Sequence, residues 1–346
     1  MSKRPNLIEP GKLTLCGVPG SPYTRKMLAL LRYRQIPYKL VLGSNGSPGL
    51  PMAKPPMLPT FYYPGADGEA TPVTDSTPLI RRLEREYAGR SVIPADPALA
   101  FLDALIEDYA DEWLTKAMFH YRWAYPKDAA QAGAILPTWT RADMSDEALA
   151  RLSASIAERQ IGRLGYVGSN ALTGPVIEAS YLRFLTAFEN HLRQHRFLLG
   201  ARPGAGDFAT FGQLTQLAAF DPTPMALTLA HAPRVFGWVG AVEDLSGLEP
   251  EDSDWFSADA PPPTVTAILS EIGRVYPPLL LANAKAVEAG AAEVETVIDG
   301  QIWRQRPFVY QAKCLAWLRQ DFSALSPQSR ASVERALAGT GCEALF

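Results

Sequence analysis

The sequence predicts a small α/β unit followed by a region that is helical almost to its end. Three observations carry this. Short β-prone runs and two helix patterns alternate in the order β-α-β-loop-β-β-α before residue 95. From Ala98 onward apolar residues recur at helical spacing. A length of 346 residues is also enough for about two domains. We place them at 1–94 and 95–346, the second carrying a C-terminal extension. No internal repeat is evident.

Taken in order, Leu13-Thr14-Leu15-Cys16 is a β-prone run closed by Gly17-Val18-Pro19-Gly20. Ser21 stands where a helix N-cap should and Pro22 at the first helical position, and the helix must stop near Pro37. Tyr38-Lys39-Leu40-Val41-Leu42 reads as a second strand. Residues 43–56, rich in Gly, Pro and Ser, read as a loop. Pro59-Thr60-Phe61-Tyr62-Tyr63 and Ala70-Thr71-Pro72-Val73-Thr74 flank a Gly/Asp turn, Pro64-Gly65-Ala66-Asp67-Gly68, as in a β-hairpin. Asp75-Ser76-Thr77-Pro78 opens a second helix with Leu79, Ile80 and Leu83 on one face. Residues 87–97 read as a linker.

The first helix start has a chemical use. Unpaired N–H groups and the helix dipole place about half a positive charge there, which lowers the pKa of a thiol held at that point. A dithiol oxidoreductase carries its own thiols there as Cys-x-x-Cys. Here the spacing is Ser21-x-x-Thr24, without a thiol. Either the redox chemistry is gone or the sulfur arrives on a ligand. Simple capping by Ser21 is the plain alternative.

Composition excludes some classes. The chain is 47% hydrophobic and 20% charged, as in soluble globular proteins, and a net charge of −3 points to no nucleic-acid partner. Met1-Ser2-Lys3-Arg4-Pro5-Asn6 is polar with no apolar run behind it, so no secretory signal is read. No run reads as apolar enough for long enough to cross a membrane. Cys16, Cys314 and Cys342 lie far apart, which argues for a reducing compartment and a cytoplasmic protein. Cys16, inside a strand, is expected as a small buried hydrophobe. His191 and His195 stand at i, i+4, but Arg193 and Arg196 beside them argue for a solvated face, and no metal site is expected.

In the second region, residues 101–125 are helical and aromatic, with Asp108, Asp111 and Glu112 early. Tyr181, Leu185, Phe188 and Leu192 make an i, i+4, i+7, i+11 stripe expected at the domain centre. Residues 265–275 and 278–292 read as two helices, and 301–322 as too apolar for a free tail.

Four segments together resemble the glutathione transferase superfamily: Ser21-Pro22-Tyr23-Thr24, Met57-Leu58-Pro59-Thr60, Thr74-Asp75-Ser76, and residues 197–208, which include Gly204 and Asp207. The resemblance covers most of residues 13–245. It implies a thioredoxin-like domain joined to an all-helical one, with glutathione as co-substrate and no metal. It also implies a glutathione site of Ser21, Tyr23, Leu58, Pro59, Asp75 and Ser76. Ser21 would donate to the thiolate, with Tyr23 and Thr24 in reserve. Leu58, before a cis proline, would pair its backbone with the ligand's cysteine, and Ser76 and Asp75 would take the γ-glutamyl carboxylate and amine. Trp113 and Tyr121 would line the pocket of an electrophilic, apolar second substrate, and the protein would be a homodimer. Gly204 departs from the Ser or Thr usual at that cap, while Asp207 keeps the acid three residues on. The rival reading is a non-catalytic member of this fold used for binding or assembly. A dithiol oxidoreductase ranks a poor third, since its two sulfurs are absent.

Overall fold

The computed structural model describes residues 6–43, 47, 49–66 and 68–346. Residues 44–46 and 48 of the expected loop, Asp67 of the expected hairpin turn and residues 1–5 lie outside them.

A four-stranded sheet in the order β2-β1-β3-β4 forms the N-terminal part, from β1 (Leu13–Gly17), β2 (Tyr38–Leu42), β3 (Thr60–Pro64) and β4 (Ala70–Val73). β1 runs parallel to β2 and antiparallel to β3, and β3 antiparallel to β4. All five β1 residues are buried, as a central strand requires. Two helices complete the unit: α1 (Pro22–Tyr33) with Ser21 as its N-cap, and α2 (Ser76–Glu86), which turns Leu79, Ile80 and Leu83 inward. Cys16 is buried, and burial pushes its thiol up to about 11.

The helical part begins with α3 (Pro97–Tyr109), which passes through a π-helical turn, Ala110–Leu114, into α4 (Thr115–Ala124). It continues as α5 (Pro126–Ile135), α6 (Asp146–Ile161), α7 (Gly174–His191), α8 (Ala205–Leu217), α9 (Pro222–His231) and α10 (Pro233–Val242). After α10 come α11 (Pro263–Glu288), the hairpin β5 (Val294–Ile298) and β6 (Gln301–Gln305), α12 (Val309–Ala324) and α13 (Pro327–Leu337). One apolar cluster runs from β1 and α1 through α3, α7 and α8 to α11 and α13.

The start of α8 explains the unusual Gly204. Asp207 accepts from the N–H groups of Gly204 and Leu198, each at 2.9 Å. The oxygen that a Ser or Thr would supply comes from α3, where Asp103 accepts from the N–H of Ala205 and of Gly206, each at 3.0 Å. A side chain at Gly204 would collide with that carboxylate. Tyr181, Leu185 and Phe188 are fully enclosed at the centre, with Leu192 at its margin.

Three expectations are corrected. Residues 263–288 form one helix, not two. Pro277 and Pro278 remove two backbone donors, but Val275, Tyr276, Leu279 and Leu280 around them are fully buried, and that packing holds the helix through the gap. As a single helix it has the length and composition of a membrane span, although 61% of that window is buried inside the protein. Residues 294–305 form a β-hairpin in a stretch read as helical. Asp299 (φ 51°) and Gly300 (φ 73°) make its two-residue turn, both at positive φ as a type I′ turn demands. His191 is enclosed instead of solvated. Its ring nitrogens lie 2.8 Å from the Phe197 carbonyl and 3.0 Å from the Thr264 hydroxyl, and burial pulls its pKa down to about 4.

Candidate functional site

The strand registers bring three of the four motifs to one end of the sheet. Cys16 pairs with Thr60, and Phe61 with Val73. The chain leaving β1 toward Ser21, the chain entering β3 through Leu58-Pro59, and the chain leaving β4 toward Asp75 therefore emerge side by side. The Leu58–Pro59 peptide is cis. Among the described residues, neither the N–H nor the C=O of Leu58 is taken by another group, although Leu58 is half-buried. This leaves a backbone donor and an acceptor for an extended partner.

Ser21 caps α1: its oxygen accepts from the Thr24 N–H at 3.2 Å. A hydroxyl can accept and donate together, so its proton remains available. Of the two reserve positions, Tyr23 is engaged elsewhere and Thr24 is enclosed with its hydroxyl unpaired. Tyr23 donates to the Asp111 carbonyl at 2.8 Å. Burial, then the Glu112 and Asp111 carboxylates, hold its phenol well above the ordinary tyrosine range. Thr24 is wholly buried under Gly17. The turn before Ser21 is gripped by the helical part. Arg122 pairs with Asp221, accepted at 2.9 and 3.0 Å, and donates to the Gly20 carbonyl at 3.2 Å. Gln216 donates to the Pro19 carbonyl at 3.1 Å, and Leu136 and Trp139 close against Gly20.

At the other end, Ser76 accepts from the Lys26 ammonium at 3.2 Å. Lys26 is enclosed and also lies 2.6 Å from both Glu107 and Asp111. Burial alone would lower the Lys26 pKa, but those carboxylates outweigh it and hold the ammonium charged. Burial pushes Asp111 up to about 7 in spite of the lysine. Asp75 sits at the N-cap of α2 with φ 82°, a strained conformation for an aspartate. Its carboxylate accepts from the Tyr310 hydroxyl of α12 at 2.8 Å. Burial raises its pKa, against that hydrogen bond and the nearby Lys26.

Trp113 and Tyr121 sit apart from this edge. Trp113 is 0% exposed, donates to Ser180 at 3.0 Å, and is covered by Trp303 of the β5–β6 hairpin with ring centroids 5.3 Å apart. Tyr121 is 1% exposed and packs on Tyr125 and Tyr181. Neither faces open space, because the C-terminal extension and α7 fill the volume beside them. Lys26, Arg122, Gln216, Trp139 and Tyr310 escaped the sequence reading. A lysine amid the apolar run of α1 was the one available signal.

A thioredoxin-like sheet unit whose helix starts and strand-entering proline converge at one edge, joined to a helical domain, defines the glutathione transferase architecture. The sequence matches the family "Glutathione S-transferase, N-terminal domain" over residues 15–91 and "Glutathione S-transferase, C-terminal domain" over residues 146–241, together half of the chain. The chain belongs to the glutathione transferase superfamily. No curated protein matches it. Among solved structures it is similar to a glutathione S-transferase from Methylobacterium radiotolerans in complex with glutathione sulfonate. Identity is 19%, with 71% of this chain and 96% of that one covered and a TM-score of 0.41. A glutathione transferase from Pseudomonas putida, with one glutathione disulfide per subunit, is 14% identical (68% and 86% covered, TM-score 0.41). The beta-etherase LigF from Sphingobium is 18% identical (66% and 94% covered, TM-score 0.47).

Proposed function

We propose that this protein is a glutathione-dependent transferase of the cytoplasm, acting as a homodimer. The observation that carries the reading is the unpaired Leu58 backbone, flanked by the N-termini of α1 and α2. Glutathione would lie extended along it. Its cysteine would pair with Leu58, its γ-glutamyl carboxylate would meet Ser76, and its amine Asp75. The thiol would point at the start of α1. There the helix dipole and the Ser21 hydroxyl would favour the thiolate, its proton passing to solvent. The sulfur would then form a bond to an apolar electrophile, whose leaving group departs with the electron pair.

Retention on immobilised glutathione, followed by turnover with a panel of electrophiles, tests this. Failure to bind glutathione refutes it. Binding without turnover of any electrophile would instead support a non-catalytic binding or assembly protein. That second reading is favoured by one observation, the burial of Trp113 beneath Trp303. Light scattering that gives the mass of one chain would refute the homodimer.

A further inference from the structure

We infer that Tyr310 is a positioning residue of the glutathione site, acting through Asp75 on the ligand's γ-glutamyl ammonium. The inference rests on the glutathione reading above and assigns to the site a residue far beyond the matched family segments, which end at residue 241.

The Tyr310 hydroxyl donates to Oδ2 of Asp75 at 2.8 Å, across 235 positions of sequence. The bond is not a chance meeting of two mobile side chains, because α12 is held on several sides. Asn283 of α11 clamps Phe308, just before the helix, accepting from its N–H at 2.7 Å and donating to its carbonyl at 2.9 Å. Arg81 of α2 pairs with Asp321 of α12 at 2.9 Å. The ring of Trp317 stands edge-on to Tyr310, with centroids 5.9 Å apart. Two contacts thus tie α12 to α2: Tyr310 at its first turn meets the α2 cap, and Asp321 further along meets Arg81.

The chemistry suits an ammonium ligand. A carboxylate has two oxygens with about four acceptor positions, and Tyr310 uses one of them on Oδ2. The donor is neutral, so Asp75 keeps its charge for the incoming cation. Burial, then the Asp75 charge itself, hold the Tyr310 phenol protonated. Asp75 also needs such a partner. At φ 82° its backbone is strained and its carboxylate is partly desolvated, so its direction depends on what holds it. Lys26, whose charge acts on Asp75, is already committed to Glu107 and Asp111.

Isothermal titration of the full chain and of Tyr310→Phe separates the possibilities, using glutathione and glutaryl-cysteinylglycine, which lacks only the α-amino group. The Tyr310–Asp75 bond is present before the ligand arrives, so its own energy cancels. What Tyr310→Phe removes is the fixed direction of the Asp75 carboxylate, which should weaken glutathione binding about three- to ten-fold. Affinity for the glutaryl analogue should be unchanged, since it has nothing for Asp75 to hold. In an Asp75→Asn background Tyr310→Phe should cost nothing further. Equal losses for both ligands would make Tyr310 a structural residue and overturn the inference. Unchanged or tighter glutathione binding would also overturn it, tighter binding meaning that Tyr310 competes for Asp75. If the unaltered chain binds neither ligand, the glutathione reading falls first and this inference with it.

Discussion

Replacing Ser21 separates two jobs that one hydroxyl can perform. As the α1 cap it accepts from the Thr24 N–H at 3.2 Å, a long bond that belongs at the low end of capping energies, about 0.5–1 kcal/mol. As a donor to a glutathione thiolate it would be worth about 1.5–3 kcal/mol, the range for a hydrogen bond to a charged group. Ser21→Ala should therefore lower turnover at neutral pH by about 10- to 150-fold. It should raise the pKa of the bound thiol by about 1–2 units, so that less thiolate is present at pH 7. Its Tm should fall by only about 1–3 °C. Ser21→Gly sharpens the distinction. Glycine is a tolerable N-cap, about a few tenths of a kcal/mol worse than serine, yet it lacks the hydroxyl. It should keep nearly all the stability and lose as much turnover as alanine. The assay is the ultraviolet absorbance of bound thiolate against pH, with kcat and a thermal melt on the same samples. Thiolate titrations that superimpose for the unaltered chain, Ser21→Ala and Ser21→Gly would refute the catalytic role and leave a cap.

Other perturbations follow from the packing around the site. Lys26→Met strands Glu107 and Asp111 in the interior without their cation and should cost about 3–5 kcal/mol by urea denaturation. Adding Glu107→Gln and Asp111→Asn should recover much of it, and an unshifted Lys26→Met midpoint would contradict the buried pairing. At Gly212 of α8, a methyl would come within 2.5 Å of the Pro22 carbonyl at the start of α1. Gly212→Ala should lose about 1–3 kcal/mol and lower kcat by displacing Ser21; normal values for both would show that α1 yields freely. Glu112 is raised to about 8, first by burial and then by Asp108. The folded chain therefore holds a proton that the unfolded chain releases above about pH 4.3. Stability should fall as pH rises from about 4.5 to 8, by up to about 5 kcal/mol for the whole shift. Glu112→Gln should flatten that fall in a series of melts; an equally steep profile would assign the dependence to other groups.

The sequence by itself determined whatever depends on near neighbours along the chain. Ser21 and Pro22 start α1 because a cap hydroxyl and a preset φ act within one turn. The β-α-β-β-β-α order follows from two periodicities and their breakers. The β5–β6 hairpin is equally local: Asp299-Gly300 between alternating runs carries the turn signal, in a region whose other elements are helical. The Pro277-Pro278 break misled for the opposite reason, since a local rule lost to the burial of Val275, Tyr276, Leu279 and Leu280. Tertiary structure alone decided the rest. Asp103 supplies a cap oxygen to a helix a hundred residues away. Lys26 is drawn inside by two acids on another helix. Tyr310 reaches Asp75 only because α12 folds back along α2. Desolvation, charge pairing and cover act through space, and no spacing of residues along a chain encodes which distant group will arrive to satisfy them.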